Sequence, residues 1–404
     1  VPTWSLRPPP LVLAPEVAWA LLRAFAPPHT PLAGAVEGER AVAAAVTHDL
    51  AVRIAWRIPA EQLAGEVGQG QARELAVRQL AAEVVGERLL ELAQELSERL
   101  GRLGVPVALL KFAALRLGGH VAAGSRGASD LDLLVPAAAA GTVQAELRRA
   151  GFSERRLLHV PHHLPTLLAP SGMAVEVHTA LPGVAGDATF QELLAAGLLE
   201  RCHALAGEGY LPKRRLLVAH CLAHGLLQHG SAPQAYPPAR MLADLVDLGL
   251  AGEEGARLGE EAYPLLVARL PQEAVTAACS LGRVLAAGEA EKLLAENPNS
   301  TVGVLLRHVL AGPVDRRYQE ALRWSAIAGL DGTRRSLRQW LGELWQALYL
   351  TRGQVEVMHG PQASRWGYLY WRARRPLELA LRLPRYAWAA LRHLVARPPT
   401  HPPR

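Results

Sequence analysis

Cysteine is scarce in this 404-residue chain: Cys202, Cys221 and Cys279 lie far apart and form no CxxC pair. That excludes a disulfide framework, and a reducing, cytoplasmic setting is expected. No uninterrupted apolar run reaches the ~18 residues that would argue for a membrane span. The first 25 residues lack the charged-then-apolar pattern of a secretory signal, because prolines and Glu16 interrupt it. A P-loop, a Rossmann glycine pattern and a Gly-x-Ser-x-Gly elbow are also missing, so the usual mononucleotide, dinucleotide and hydrolase signatures do not apply. Lysine is the last rarity: Lys111, Lys213 and Lys292 stand against forty arginines.

What is abundant is apolar: half the residues are hydrophobic, and the length predicts two or three domains. The net charge of +6 is unevenly spread. Residues 315–404 hold 16 Arg and 6 acids, while the preceding 314 residues are net acidic. Six of the nine tryptophans also fall in this last part. Arg with Trp on helices can serve nucleic acid, an anionic surface or an acidic partner. The spacing of Leu337, Trp340, Leu341, Leu344, Trp345 and Leu348 instead predicts a folded helical region with its Trp in the core and no nucleic-acid role.

Periodicity divides the chain into a helical N-terminal region (1–103), an α/β core (104–211), a helical domain completing a cleft (212–310) and an Arg/Trp-rich helical region (311–404). In the first, Leu75, Leu80, Val84, Leu89, Leu92 and Leu96 form a stripe on a helix ending near Gly101 or Gly104. The core reads as a strand at 105–110, a helix at 112–118, the strand "DLDLLV", a helix at 137–150, and strands near 155–168 and 173–179 joined by the turn "APSG". The fold class expected is α+β, a small mixed sheet between helical regions.

The chemistry centres on "GSRGASDLDLLVP" (124–136). Asp130 and Asp132 share one strand face while Leu131 and Leu133 share the other. Two adjacent carboxylates repel unless a cation or proton sits between them, and in a metal-free cluster of Asp130, Asp132 and Glu176 one acid should titrate above its ordinary value. Acids make up about 9% of the chain, so about three acidic-x-acidic triplets are expected by chance; context must decide. The strand "MAVEVHTAL" repeats the alternation, with Glu176 and His178 on one face. If the two strands are neighbours, three carboxylates converge and suit two divalent cations that share phosphate oxygens.

The run "VPVALLKFAALRL…RGASDLDLLVP…VPHHLPTLLAPSGMAVEVHTAL" resembles the uncharacterised nucleotidyltransferase family of the DNA polymerase beta superfamily. In that family a strand leads into Leu-Lys-Gly and a helix. Next come Arg-x-x-Ser-Asp-hydrophobic-Asp, a His-rich strand and an acidic-x-His strand. Lys111, Arg126, Ser129, Asp130, Asp132, Glu176 and His178 match the motif, His163 falls near its His, and Asp244 matches in the later helical segment. The resemblance covers about 105–250. It implies a minimal nucleotidyltransferase fold that transfers a nucleotide from an NTP, ATP foremost, to a small-molecule or peptide acceptor. It further implies two Mg²⁺ ions on Asp130, Asp132 and Glu176, and nucleotide contacts from Lys111, Ser125, Arg126 and Ser129.

One position departs from that pattern: Phe112-Ala113 replaces the glycine that follows the lysine, and Phe lacks glycine's freedom of backbone and close approach. A catalytically degenerate relative, acting as a binding or scaffold module for instance in peptide natural-product biosynthesis, is therefore the alternative. Arg126 is expected either to clamp a phosphate or to neutralise Asp130. His178, His224 and Asp244 are candidate acceptor or cleft contacts. His220 and His224, at i and i+4, are expected to line a helix seam or the cleft, with a metal site there the lesser reading. Replacing Asp132 by Asn is expected to leave the fold intact or slightly stabilised.

Overall fold

A computed structural model describes residues 13–32, 34–154, 164–205, 207–228, 232–233, 239–252, 254–266, 270–310, 345, 348–349, 355 and 364–395. The chain is α+β, with helices on both sides of a seven-stranded mixed sheet. Five helices come first: α1 (Pro15–Phe25), α2 (Gly38–Thr47), α3 (Ala51–Arg57), α4 (Ala60–Val67) and the long α5 (Gln69–Gly101). The sheet region follows, with β1 (Val107–Leu109), α6 (Lys111–Leu117), β2 (Asp130–Leu134), α7 (Ala140–Arg149), β3 (Ser153–Glu154), β4 (Leu167–Leu168) and β5 (Ala174–His178). It is completed by α8 (Phe190–Ala195), β6 (Leu199–Arg201) and β7 (Gly209–Pro212). Helices α9 (Arg214–Leu226), α10 (Ala239–Asp247), α11 (Gly255–Ala262), α12 (Gln272–Ala286), α13 (Ala290–Glu296) and α14 (Thr301–Leu310) close the packed body.

Helix α5 departs from its predicted stripe. Leu80 and Val84 are 59% and 45% exposed, whereas Leu75, Ala82, Gly86, Leu89, Ala93, Leu96 and Leu100 form the buried line. The cause lies across the interface: a Cβ on Gly86 would stand 2.9 Å from Cζ of Phe112 on α6. Gly86 is turned inward where the Phe112 ring packs, while Leu80 and Val84 are turned out. The helix stops where predicted, at Gly101, and Gly104 takes the left-handed φ of +67° that reverses the chain.

Sheet order is β3-β4-β5-β2-β1-β7-β6. β2 lies between β1, which is antiparallel to it, and β5, which is parallel. Leu131, Leu133, Val175 and Val177 are wholly buried on one face, and that apolar face locks the register, since a one-residue slip would turn it to the other side. The "APSG" turn joins β4 to β5 with Gly172 at φ +84°. Two further strands, β6 and β7, were not foreseen; β7 pairs parallel to β1. Of the strand expected near 155–168, residues 155–163, with His162 and His163, lie outside the described residues, as does His229.

Helix α10 binds the parts together. Asp247 accepts from Arg53 of α3 at 2.6 Å, and Asp244, one turn earlier, accepts from Arg126 ahead of β2. Arg240 on the same helix reaches Asp49 and the Gly127 carbonyl. Near the C-terminus the chain is helical over Arg365–Val395. Trp366 there is 79% exposed and Trp345 is also exposed, unlike the buried tryptophans expected. Of the stripe over 337–350 only Trp345 and Leu348 are described. No helix among the described residues is long and apolar enough to cross a membrane.

Candidate active site

Parallel pairing of β2 with β5 sets Asp132 beside Glu176 and Leu134 beside His178. Adjacent strands run ~4.8 Å apart, so the two carboxylates share one face at close range. Asp132 is 2% exposed and Glu176 23%. β1 supplies the counter-charge. Leu110 donates its backbone N–H to the Asp132 carbonyl, and the chain then leaves the sheet at Lys111, whose φ is +43°. That left-handed conformation costs a non-glycine residue about 1–2 kcal/mol. It delivers Lys111 Nζ to 2.7 Å from Asp132 Oδ1 and 3.9 Å from Glu176 Oε2.

His178 Nε2 stands 3.0 Å from Asp132 Oδ1 and 3.7 Å from Glu176 Oε2. Burial pushes the Asp132 carboxyl up, but the Lys111 charge and the His178 contact outweigh it and hold the group well below the usual carboxylate range. Glu176 moves the other way, raised by burial and by the Asp132 charge. This is the acid expected to titrate high. Burial lowers the Lys111 ammonium, yet Asp132 first, then Glu176 and Asp130, hold it above its ordinary value. Thr166, just before β4, adds a hydroxyl donated to Glu176 Oε1 at 3.5 Å.

Lys111, Asp132, Glu176 and His178 are thus brought together. Asp130 shares their face but lies one strand repeat away, opposite Ala174, with the Ser129 hydroxyl donating to it at 3.1 Å. Other candidates go elsewhere. Arg126 does not neutralise Asp130. Its guanidinium forks onto Asp244, Nε to Oδ1 at 2.6 Å and an NH₂ nitrogen to Oδ2 at 2.9 Å, and stacks over the Phe112 ring at 5.8 Å. The Ser125 hydroxyl is buried and donates to the Ala122 carbonyl. His224 is exposed and its ring lies edge-on to His220. His220 is the histidine of α9 that senses the cluster: burial, then His224, Lys111 and His178, push it well below the usual imidazole value, so it is neutral.

The donor set fits a divalent cation. Single ligand atoms of Asp132, Glu176 and His178 all lie within 4.8 Å of one another, the one such group of three found among the described residues. Phe112 bears on the missing glycine. It occupies ordinary helix, its ring is buried against α5, and the left-handed dihedral falls one residue earlier, on Lys111. No glycine dihedral is needed at 112 in this chain.

Paired acids on adjacent strands of the mixed sheet, with a lysine at the end of a third, thus form one charged cluster. A family model described as "Uncharacterised nucleotidyltransferase" matches residues 34–287, and the chain belongs to that family. Membership supports a general nucleotidyl-transfer function. No curated protein and no solved structure matches the chain. The matched span begins well before β1, so α2–α5 belong to the family's extent as well as the sheet.

Proposed function

We propose that the protein is a Mg²⁺-dependent nucleotidyltransferase of the cytoplasm that moves a nucleoside monophosphate from an NTP, ATP foremost, to a small-molecule or peptide acceptor. The observation that carries this reading is the in-register convergence of Asp132 and Glu176 with Lys111 between them. Asp130, Asp132 and Glu176 would hold two Mg²⁺ ions, which when bound supply Lewis-acid charge to the phosphate oxygens. The acceptor oxygen or nitrogen attacks the α-phosphorus, its bond to the bridging oxygen breaks, and pyrophosphate leaves. Glu176 would assist deprotonation of the acceptor. The Lys111 ammonium, with Ser129 beside Asp130, faces the phosphates. Arg126, Ser125 and Asp244 serve in positioning: the Arg126–Asp244 fork fixes the loop that leads into β2. His178 orders the two acids.

A second reading, a nucleotide- or peptide-binding relative without catalysis, draws on Phe112-Ala113 in place of the family's glycine. The ring's burial against α5 supports the first reading over it, because the side chain is spent in the core. Calorimetric titration of MgATP and MgGTP into wild type and Asp132→Asn tests the choice. Binding by wild type, lost on substitution, is expected; equal binding by both proteins would overturn the assigned site.

A further inference from the structure

Asp132 Oδ1 has two close neighbours in the cluster, Lys111 Nζ at 2.7 Å and His178 Nε2 at 3.0 Å. Glu176 Oε2 faces the same pair, at 3.9 and 3.7 Å. One ammonium therefore sits against two carboxylates, with an imidazole nitrogen on the same two oxygens. Neighbouring donors around a small divalent ion stand ~3 Å apart when its bonds are ~2.1 Å. The His178–Asp132 separation already has that value, and the His178–Glu176 separation needs only a small contraction. Asp130 is not part of this group: it pairs with Ala174 further along β2, and its carboxylate is engaged by Ser129.

We infer that the chain carries one mixed nitrogen–oxygen cation position, Asp132–Glu176–His178, which the Lys111 ammonium fills until a divalent ion displaces it. This deepens the reading of the same site and rests on it. An imidazole donor suits borderline ions better than Mg²⁺ or Ca²⁺, which favour all-oxygen sets. Mn²⁺, although itself oxygen-favouring, accepts an imidazole ligand more readily than Mg²⁺ and serves as the probe of the position in the absence of nucleotide. Asp130 is left for a second ion that arrives with the triphosphate. The exchange also frees Lys111 for the nucleotide. Once the ion supplies the charge between the acids, the ammonium is released toward the phosphates.

The test uses the full chain and Mn²⁺ alone, followed by electron paramagnetic resonance. Wild type is expected to bind one Mn²⁺ without nucleotide and to show the nitrogen coupling of a bound imidazole in pulsed spectra. His178→Gln should lose that coupling and weaken binding at least about tenfold. Lys111→Met should tighten binding at least about tenfold, because the competing charge is gone. Asp130→Asn should keep the coupling. Absence of imidazole coupling in wild type, which needs no substitution to observe, overturns the inference, as does Mn²⁺ binding that is no tighter in Lys111→Met. MgATP binding by a protein without that coupling would overturn this position and leave the transferase reading standing. Imidazole-coupled Mn²⁺ in a protein that binds no MgATP would support the position and overturn the transferase reading.

Discussion

Asparagine at position 132 keeps the shape of the side chain and removes its charge. In the folded protein that carboxylate is 2% exposed and takes both the Lys111 ammonium and His178 Nε2. Removing one member of a buried ion pair costs about 3–5 kcal/mol, chiefly because the other charge is stranded. Two features reduce the figure here. Lys111 is 22% exposed, and Glu176 remains 3.9 Å from it as a second partner. Relief of repulsion between the two acids works in the same direction. Asp132→Asn should therefore destabilise the metal-free protein by about 2 kcal/mol. The acids alone argued for neutral or slightly stabilising; the Lys111 contact reverses the sign. Urea unfolding at pH 7 of wild type, Asp132→Asn, Lys111→Met and the double variant measures it. The double variant should be less destabilised than the two single losses summed, with a coupling of at least ~1 kcal/mol. Additive losses would refute a direct Lys111–Asp132 interaction.

Glu66 offers a pH-dependent counterpart away from the site. It accepts from Trp19, Arg23 and Gln62 at 2.8–2.9 Å, and although burial raises its carboxyl, these bonds hold it below the ordinary value of 4.5. A depressed carboxyl contributes stability above its unfolded pKa and loses it as pH falls through the folded value. Glu66→Gln should cost about 2–3 kcal/mol at pH 7, less below pH ~4, read as converging urea midpoints. At Gly86, alanine would place its Cβ 2.9 Å from the Phe112 ring. Gly86→Ala should lower stability by about 1–3 kcal/mol, and Phe112→Leu in the same chain should recover part of it, as thermal unfolding would show.

The legible parts of the fold were those set by local pattern. Alternation in "DLDLLV" and "AVEVH" marked β2 and β5, and "APSG" marked the turn leading into β5. The side-by-side placement of Asp132 and Glu176 followed only once those strands were taken as neighbours, which alternation does not state. β7 escaped because "GYLP" is short and carries Gly and Pro, both poor strand signals. The outward turn of Leu80 and Val84 escaped for a different reason: counting large apolar residues cannot see that Phe112 packs against Gly86 and leaves no room for a side chain there. Arg126 was drawn toward Asp130 by closeness in sequence, whereas its partner Asp244 is 118 residues away. Lys111 was visible as a rare residue type and as the lysine of the family motif, but its place against Asp132 and Glu176 was not. The left-handed backbone of Lys111 leaves no mark in the sequence.

Helix α10 carries a constraint of phase. Asp244 and Asp247 are three residues apart, so both project from nearly one side of the helix, one toward the loop before β2 and one toward α3. Turning that helix by a single residue would rotate both carboxylates about 100° away from their arginines. The N-terminal helices and the acidic strand are thereby kept in a common angular setting by one turn of chain. A fragment beginning at β1 would keep the acids of the site yet strand Asp247 without Arg53 and bare the Phe112 ring that α5 covers. For this chain, the unit that has to be kept whole is set by where those two aspartates point, and it is larger than the sheet that bears the chemistry.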